Sequence, residues 1–168
     1  MLIILGGLPG AGKTTIAREL ARSLEAVHIR IDTIEHALAQ SAHGHVTGEE
    51  GYRVGYALAE DNLRLGRTVI ADSVNPIEIT RAAWRGVAVR AGVPFAEIEV
   101  ICSGAAEHRS RVESRTADIV GFKLPTWAEV EKRDYHPWES KHIVVDTAGR
   151  SAGEVVAEIT SQIAKDAG

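Results

Sequence analysis

The residues whose spacing carries the most chemistry are Gly7-Leu8-Pro9-Gly10-Ala11-Gly12-Lys13-Thr14, followed by Thr15. They satisfy G-x-x-x-x-G-K-[ST] at every fixed position. The glycines let the backbone curl until successive N–H groups point inward at phosphate oxygens. A helix opening at the lysine adds the positive end of its dipole. In that frame Lys13 reaches the β- and γ-phosphates of a nucleotide, the Thr14 hydroxyl is a Mg²⁺ ligand, and Thr15 bonds a phosphate or caps the helix. ATP and Mg²⁺ are therefore the expected cofactors.

Further groups suit the same chemistry. Asp32 follows the apolar run "AVHIRI". A carboxylate there can orient a substrate hydroxyl and accept its proton during attack on the γ-phosphate. A second role is open to it: capping a helix, with Glu35 as the other half of a capping box. Asp72 ends "TVIAD" as an acid placed to hold Mg²⁺ through water. Arg111 and Arg115 lie four residues apart, on one helix face, with Arg109 just upstream. Such mobile positive charge can cover a nucleotide and exclude water. Asn75 suits a helix N-cap or a substrate contact, and Arg81 the cleft or the surface. Tyr52 and Tyr56 share a helix face that either forms the acceptor pocket or packs in the core. His43 and His45 have no carboxylate at ligand spacing, so they do not make a metal site.

The elements that must position these groups alternate. "LIIL", "AVHIRI", "TVIAD", "FAEIEVIC" and "HIVVD" read as strands. Between them run helical patterns: Lys13 to Leu24; from Asp32; from a Thr47–Glu50 cap to about Leu65; from Asn75-Pro76 with Glu78 to Gly92; Ala105 to Arg115; and from a Thr126–Glu129 cap. A last helix starts at a Ser151–Glu154 cap, and residues 116–125 read as an exposed loop. Strands alternating with helices predict an α/β fold, a three-layer parallel sheet with helices on both faces. Trp84, Trp127 and Trp138 are expected in core or lid-hinge packing.

Composition bounds the rest. The chain of 168 residues suits one domain, 1–168, with a lid at about 105–138. A net charge of −4 argues against non-specific nucleic-acid binding by the whole surface but leaves room for a local basic cleft. The single cysteine, Cys102, is expected as a buried small hydrophobe. "MLIILGG" is too short to span a bilayer and has no signal-type cleavage site, so a soluble cytoplasmic protein is expected.

Taken together, the P-loop, Asp32, "TVIADSVNPIEITRAAW" and "RVESR" resemble the small P-loop kinases, in particular the polynucleotide-kinase-like and chloramphenicol-phosphotransferase-like families. The resemblance covers nearly the whole chain and implies the strand order 2-3-1-4-5. It implies that Arg111 packs on adenine, that Arg115 meets the transferring phosphate, and that Arg133 in "EKRDYHPW" is a further phosphate contact. It also places adenine near Thr147, Ala148 and Gly149, after the last strand. Polynucleotide kinases show an arginine three residues after the catalytic aspartate; this chain has Glu35. "DTIEHAL" is closer to the chloramphenicol-phosphotransferase segment. That departure favours a small hydroxylated acceptor, though nucleic acid stays open as a partner. The leading expectation is an ATP-dependent, Mg²⁺-requiring kinase acting on a small-molecule hydroxyl. Two alternatives remain: a nucleoside, nucleotide or polynucleotide 5′-hydroxyl kinase, and a regulatory ATP-binding protein without an acceptor.

Overall fold

The computed structural model describes residues 1–41 and 49–166. His43, His45 and the threonine of the Thr47–Glu50 cap lie outside them. The strands are β1 (Leu2–Gly6), β2 (Val27–Arg30), β3 (Val69–Asp72), β4 (Phe95–Ile101) and β5 (Ile143–Asp146). They form one parallel sheet in the order β2-β3-β1-β4-β5, as the resemblance implies. The helices are α1 (Lys13–Ser23), α2 (Ile31–Ala39), α3 (Glu50–Arg64), α4 (Glu78–Ala91), α5 (Ala105–Ser114), α6 (Trp127–Glu131) and α7 (Ala152–Asp166). None among the described residues is long and apolar enough to cross a membrane.

β1 is central and buried on both faces, which is why "LIIL" is continuously apolar instead of alternating. Its side chains still alternate between two cores. Ile3 and Leu5 join Ile16, Leu20, Ile98 and Ile159 beneath α1 and α7. Leu2 and Ile4 join Val69, Trp84, Val87 and Leu63 beneath α3 and α4. On the β4 half of this second face, residues 132–142 run across the sheet as a strap. Glu97 there is buried and accepts from Arg85 Nη1 and Ser140 Oγ, both at 2.9 Å. Glu99 accepts from Tyr135 Oη at 2.9 Å and meets His142 Nε2 at 3.3 Å. Two carboxylates inside "FAEIEVIC" thus find partners in the strap, and Glu97 a further one in Arg85 of α4.

Three local expectations are corrected. Asp32 does not cap α2: Arg30 is the N-cap residue, no side chain caps this end, and Asp32 sits inside the first turn. β2 ends one residue early because the chain turns into the helix at Ile31. Asn75 is not an N-cap either, since α4 begins at Glu78 after Ile77. Arg115 stands just beyond α5 in extended conformation, so it does not share a helix face with Arg111. The Thr126–Glu129 capping box forms as expected, and Ser151 and Glu154 bond reciprocally.

Candidate active site

Parallel strands deliver their C-terminal ends to one edge, and the loops leaving them enclose a cleft there. β1 leads into the P-loop. Gly7 has φ 136°, and a Cβ on it would lie 2.1 Å from the Val100 carbonyl oxygen, so only glycine fits against β4. From β2 come Arg30 and, two residues on, Asp32; from β3 comes Asp72. Register sets Arg30 beside Asp72 and Asp72 beside Leu5, which brings both aspartates to the mouth of the P-loop. The cavity is about 940 Å³. It is lined on the P-loop side by Pro9, Gly10, Gly12, Lys13, Thr14 and Thr15. Gly7, Leu8 and Ala11 line a small cavity on the other side of the loop and support it from behind.

Lys13 is the electrostatic centre. It is buried and its ammonium donates to the Leu8 carbonyl at 3.0 Å. Burial pushes it down from 10.5 to about 8; Asp72 and Asp32 oppose that shift, and Arg115 and Arg133 add to it. A bound polyphosphate restores the charged form. ATP binding above pH 8 should therefore take up a proton, and ATP affinity should fall as pH rises through 8. Calorimetry in buffers of different ionisation enthalpy reads that uptake; none at pH 8.5 contradicts it.

Asp72 is 3% exposed, and His28 Nε2 lies 3.1 Å from its Oδ2. Asp32 is half-open and lies 3.5 Å from Arg30 Nη2. Arg30 also donates to Asp118 at 2.7 Å, and Arg18 pairs with the same carboxylate. Those two arginines, Arg30 foremost, hold the Asp118 carboxyl down to about 2. The segment 116–125, read from sequence as an exposed loop, is thereby tied over the cleft, and Phe122, Lys123, Leu124 and Pro125 join its lining. Arg115 and Arg133 line the same cavity with no carboxylate paired to them among the described residues. Arg115 Nε and Arg30 Nε are buried without a hydrogen-bond partner.

At the other end, Arg111 donates to Thr147 Oγ1 at 2.7 Å and to the Thr147 carbonyl at 2.9 Å. Thr147 Oγ1 in turn lies 2.9 Å from the Ala11 carbonyl, joining α5, the β5–α7 loop and the P-loop. His108 Nε2 donates to the Pro9 carbonyl at 2.8 Å beneath the edge-on ring of Trp127. Thr147 lines the cleft together with Arg150, Ser151 and Ala152. Ala148 and Gly149 do not; their N–H groups donate to Asp146 and Glu107.

Four expected substrate contacts do not line the cavity, although the Tyr52 hydroxyl lies beside Ser73, which does. Tyr52 and Tyr56 pack on the α3–α4 core, Tyr56 edge-on to Trp84. Asn75 is fully buried with φ 48°, and its amide donates to the Leu5 carbonyl at 2.7 Å. Arg81 is fully buried beneath the strap. Sequence reasoning in turn missed Arg18, His28, Arg30, Asp118 and Arg150. Their individual types carried no spacing signal; only strand register and the path of segment 116–125 bring them together.

A family model described as an AAA domain matches residues 2–129. A protein of Aeropyrum pernix named "Probable adenylyl-sulfate kinase" is 27% identical over 97% of this chain and 92% of its own. Among solved structures, Chaetomium thermophilum Kti12 in complex with ADP-AlF3 is 26% identical at a TM-score of 0.67, covering 96% of this chain and 98% of that one. The Mycobacterium tuberculosis APS kinase CysC, in complex with AMPPNP and APS, shares the fold at a TM-score of 0.71 with 21% identity over 96% of each chain. With its P-loop, sheet order and family match in agreement, this chain belongs to the AAA domain family and is a P-loop phosphotransferase of the small kinase superfamily.

Proposed function

We propose that the protein transfers the γ-phosphate of ATP to a hydroxyl of a small-molecule acceptor, with Mg²⁺. The observation that carries the reading is one cavity in which Lys13, Asp32, Asp72, Arg115 and Arg133 all converge. It is large enough for a nucleotide and a small acceptor side by side. In this reading the P-loop amides and Lys13 hold the β- and γ-phosphates. Arg111 and the Thr147 region border the base, with Ala148 and Gly149 shaping the turn behind it. Asp32 orients the acceptor hydroxyl and takes its proton. Arg115 and Arg133 meet the charge spreading over the transferring phosphoryl oxygens. Segment 105–138 acts as the lid, excluding water so that the acceptor and not solvent is phosphorylated.

The donor set fits Mg²⁺. Among the described residues no cluster of three or more His, Cys, Asp or Glu could hold a metal. Thr14 and Asp72 instead offer two hard oxygens, as suits an ion that keeps waters and takes the rest of its shell from phosphate. When bound, Mg²⁺ neutralises charge between the β- and γ-phosphates. His28 beside Asp72 steadies the carboxylate that would hold it.

The test is an acceptor screen read as ADP release with Mg²⁺ and ATP. Sugars, nucleosides, aminoglycoside- and phenicol-type alcohols, adenylyl sulfate and short oligonucleotides are compared with water alone. A small alcohol that raises the rate at least tenfold is the expected result. Stimulation only by oligonucleotides, with steeply salt-dependent binding, would move the reading to a polynucleotide kinase. No stimulation by any acceptor would leave an ATP-binding regulator.

A further inference from the structure

Among the described residues Arg81 is the most fully buried cation, with none of its side chain exposed, and no carboxylate there pairs with it. Its guanidinium is satisfied by four main-chain carbonyls. Nε donates to Asn75 at 2.9 Å and Nη2 to Pro76 at 3.1 Å, both in the β3–α4 loop. Nη1 donates to Pro137 at 2.9 Å and Nη2 to His136 at 2.6 Å, both in the strap. The Trp138 ring covers its face, with the guanidinium carbon 4.4 Å from the ring centroid. Burying an uncompensated cation is costly, and an apolar side chain of similar volume fills such a space at least as well. What no apolar side chain supplies is a planar fork that ties two loops together at four points.

The two loops matter because of what each carries. The β3–α4 loop follows directly from Asp72, and Asn75 is bonded to Leu5 at the end of β1. The strap begins at Lys132 and Arg133, so Arg133 reaches the cleft from the last residues before the clamped stretch 135–138. Among the described residues no side-chain hydrogen bond or close ion pair holds Arg133, and its charge is felt at Glu35 across the cavity. From this geometry we infer that Arg81 is a positioning residue for Arg133: its fork sets the strap against the P-loop side of the sheet and so fixes how Arg133 approaches the transferring phosphate. This inference rests on the phosphoryl-transfer reading of the cleft given above.

The test needs no knowledge of the acceptor. The full-length protein is titrated with Mg·ADP and with Mg·ADP plus aluminium fluoride, which mimics the phosphoryl group in flight. The readout is the ratio of the two affinities. Arg81→Met should lower that ratio about 10- to 100-fold, the order expected when a charge is misplaced by about an ångström. ADP affinity itself should stay within about twofold. Arg81→Lys should not restore the ratio, because a point charge cannot bridge both loops. In an Arg133→Ala background, Arg81→Met should cost no more than about twofold further. Multiplying losses would overturn the inference, as would ADP and mimic affinities falling together, which marks a purely structural role. If Arg133→Ala abolishes the gain while Arg81→Met retains it, the inference alone falls. If Arg133→Ala leaves the gain intact, the reading of the cleft falls and takes the inference with it. Should Arg81→Met not fold, Arg81→Gln keeps a polar head of shorter reach that cannot bond both loops at four points, and it enters the same cycle with the same criteria.

Discussion

Lys13→Ala loses turnover by about 10²–10³-fold, roughly 3–4 kcal/mol of barrier, while the protein still folds. The loss follows from where the charge grows: the β–γ bridge gains negative charge as the bond breaks, and the Lys13 ammonium is held there in a water-poor site. The survival of the fold follows from the pKa. A group pushed down to about 8 by burial is one whose charged form the folded state disfavours. Removing it relieves that burden, and its single hydrogen bond goes to the Leu8 carbonyl, at the surface of the P-loop and not in either core. Acceptor-stimulated ADP release measures the first half and a thermal melt by circular dichroism the second. A variant that keeps more than about a tenth of wild-type turnover, a barrier change under about 1.4 kcal/mol, refutes the assignment of the P-loop to phosphoryl transfer.

Asp32→Asn gives the other large effect: a fall of about 10²–10⁴-fold in acceptor phosphorylation, the usual worth of a general base. Stability should change little. Asp32 caps nothing, is partly open, and gives up only its interaction with the start of α2 and with Arg30, about 0.3–1 kcal/mol in favourable cases. A second signature separates this from a general disturbance. Asp32 is one of two carboxylates keeping Lys13 protonated, so its neutralisation lets the lysine lose its proton more readily, and the alkaline limb of ATP affinity moves to lower pH. Glu19→Gln, an exposed carboxylate of α1 outside the cavity lining, serves as control and should leave the rate nearly unchanged. If Asp32→Asn phosphorylates at near wild-type rate, the hydroxyl needs no base, which a loose transition state permits.

The P-loop was legible because its fixed positions are local, and the parallel sheet because each apolar run had a helix to cross over on; the strand order followed from the resemblance to the small P-loop kinases. Asp72 was legible because it ends an apolar strand. Lys13, Arg111, Arg115 and Arg133 were named from the motif and the resemblance, but Arg18 and Arg30 were not: Arg18 lies on α1 and Arg30 at the end of β2, and what joins them is Asp118, a hundred residues from Arg18. No periodicity records such a meeting. The helix caps show the opposite failure. Thr126–Glu129 and Asp32–Glu35 look alike as patterns, yet only the first forms a box, because β2 turns into α2 one residue before the aspartate. Arg81 misled for a related reason. Its helical position is correct, but the strap that buries it starts 51 residues later and is irregular, so nothing in the sequence signals its path.

Gly6 shows how a residue of one motif can serve another part of the molecule. It precedes the phosphate loop and reads as one more of its glycines, yet its φ is not among the positive ones. Its missing methyl is filled by the Trp138 ring: a Cβ there would lie 2.3 Å from ring carbon Cζ2. The nucleotide loop and the strap therefore share a single atom-sized slot, and they are bound to diverge together or not at all. A lineage that enlarges residue 6 must first shrink or relocate Trp138, and one that redesigns the strap inherits a glycine it no longer needs. Gly6 and Trp138 thus move through sequence space as one pair.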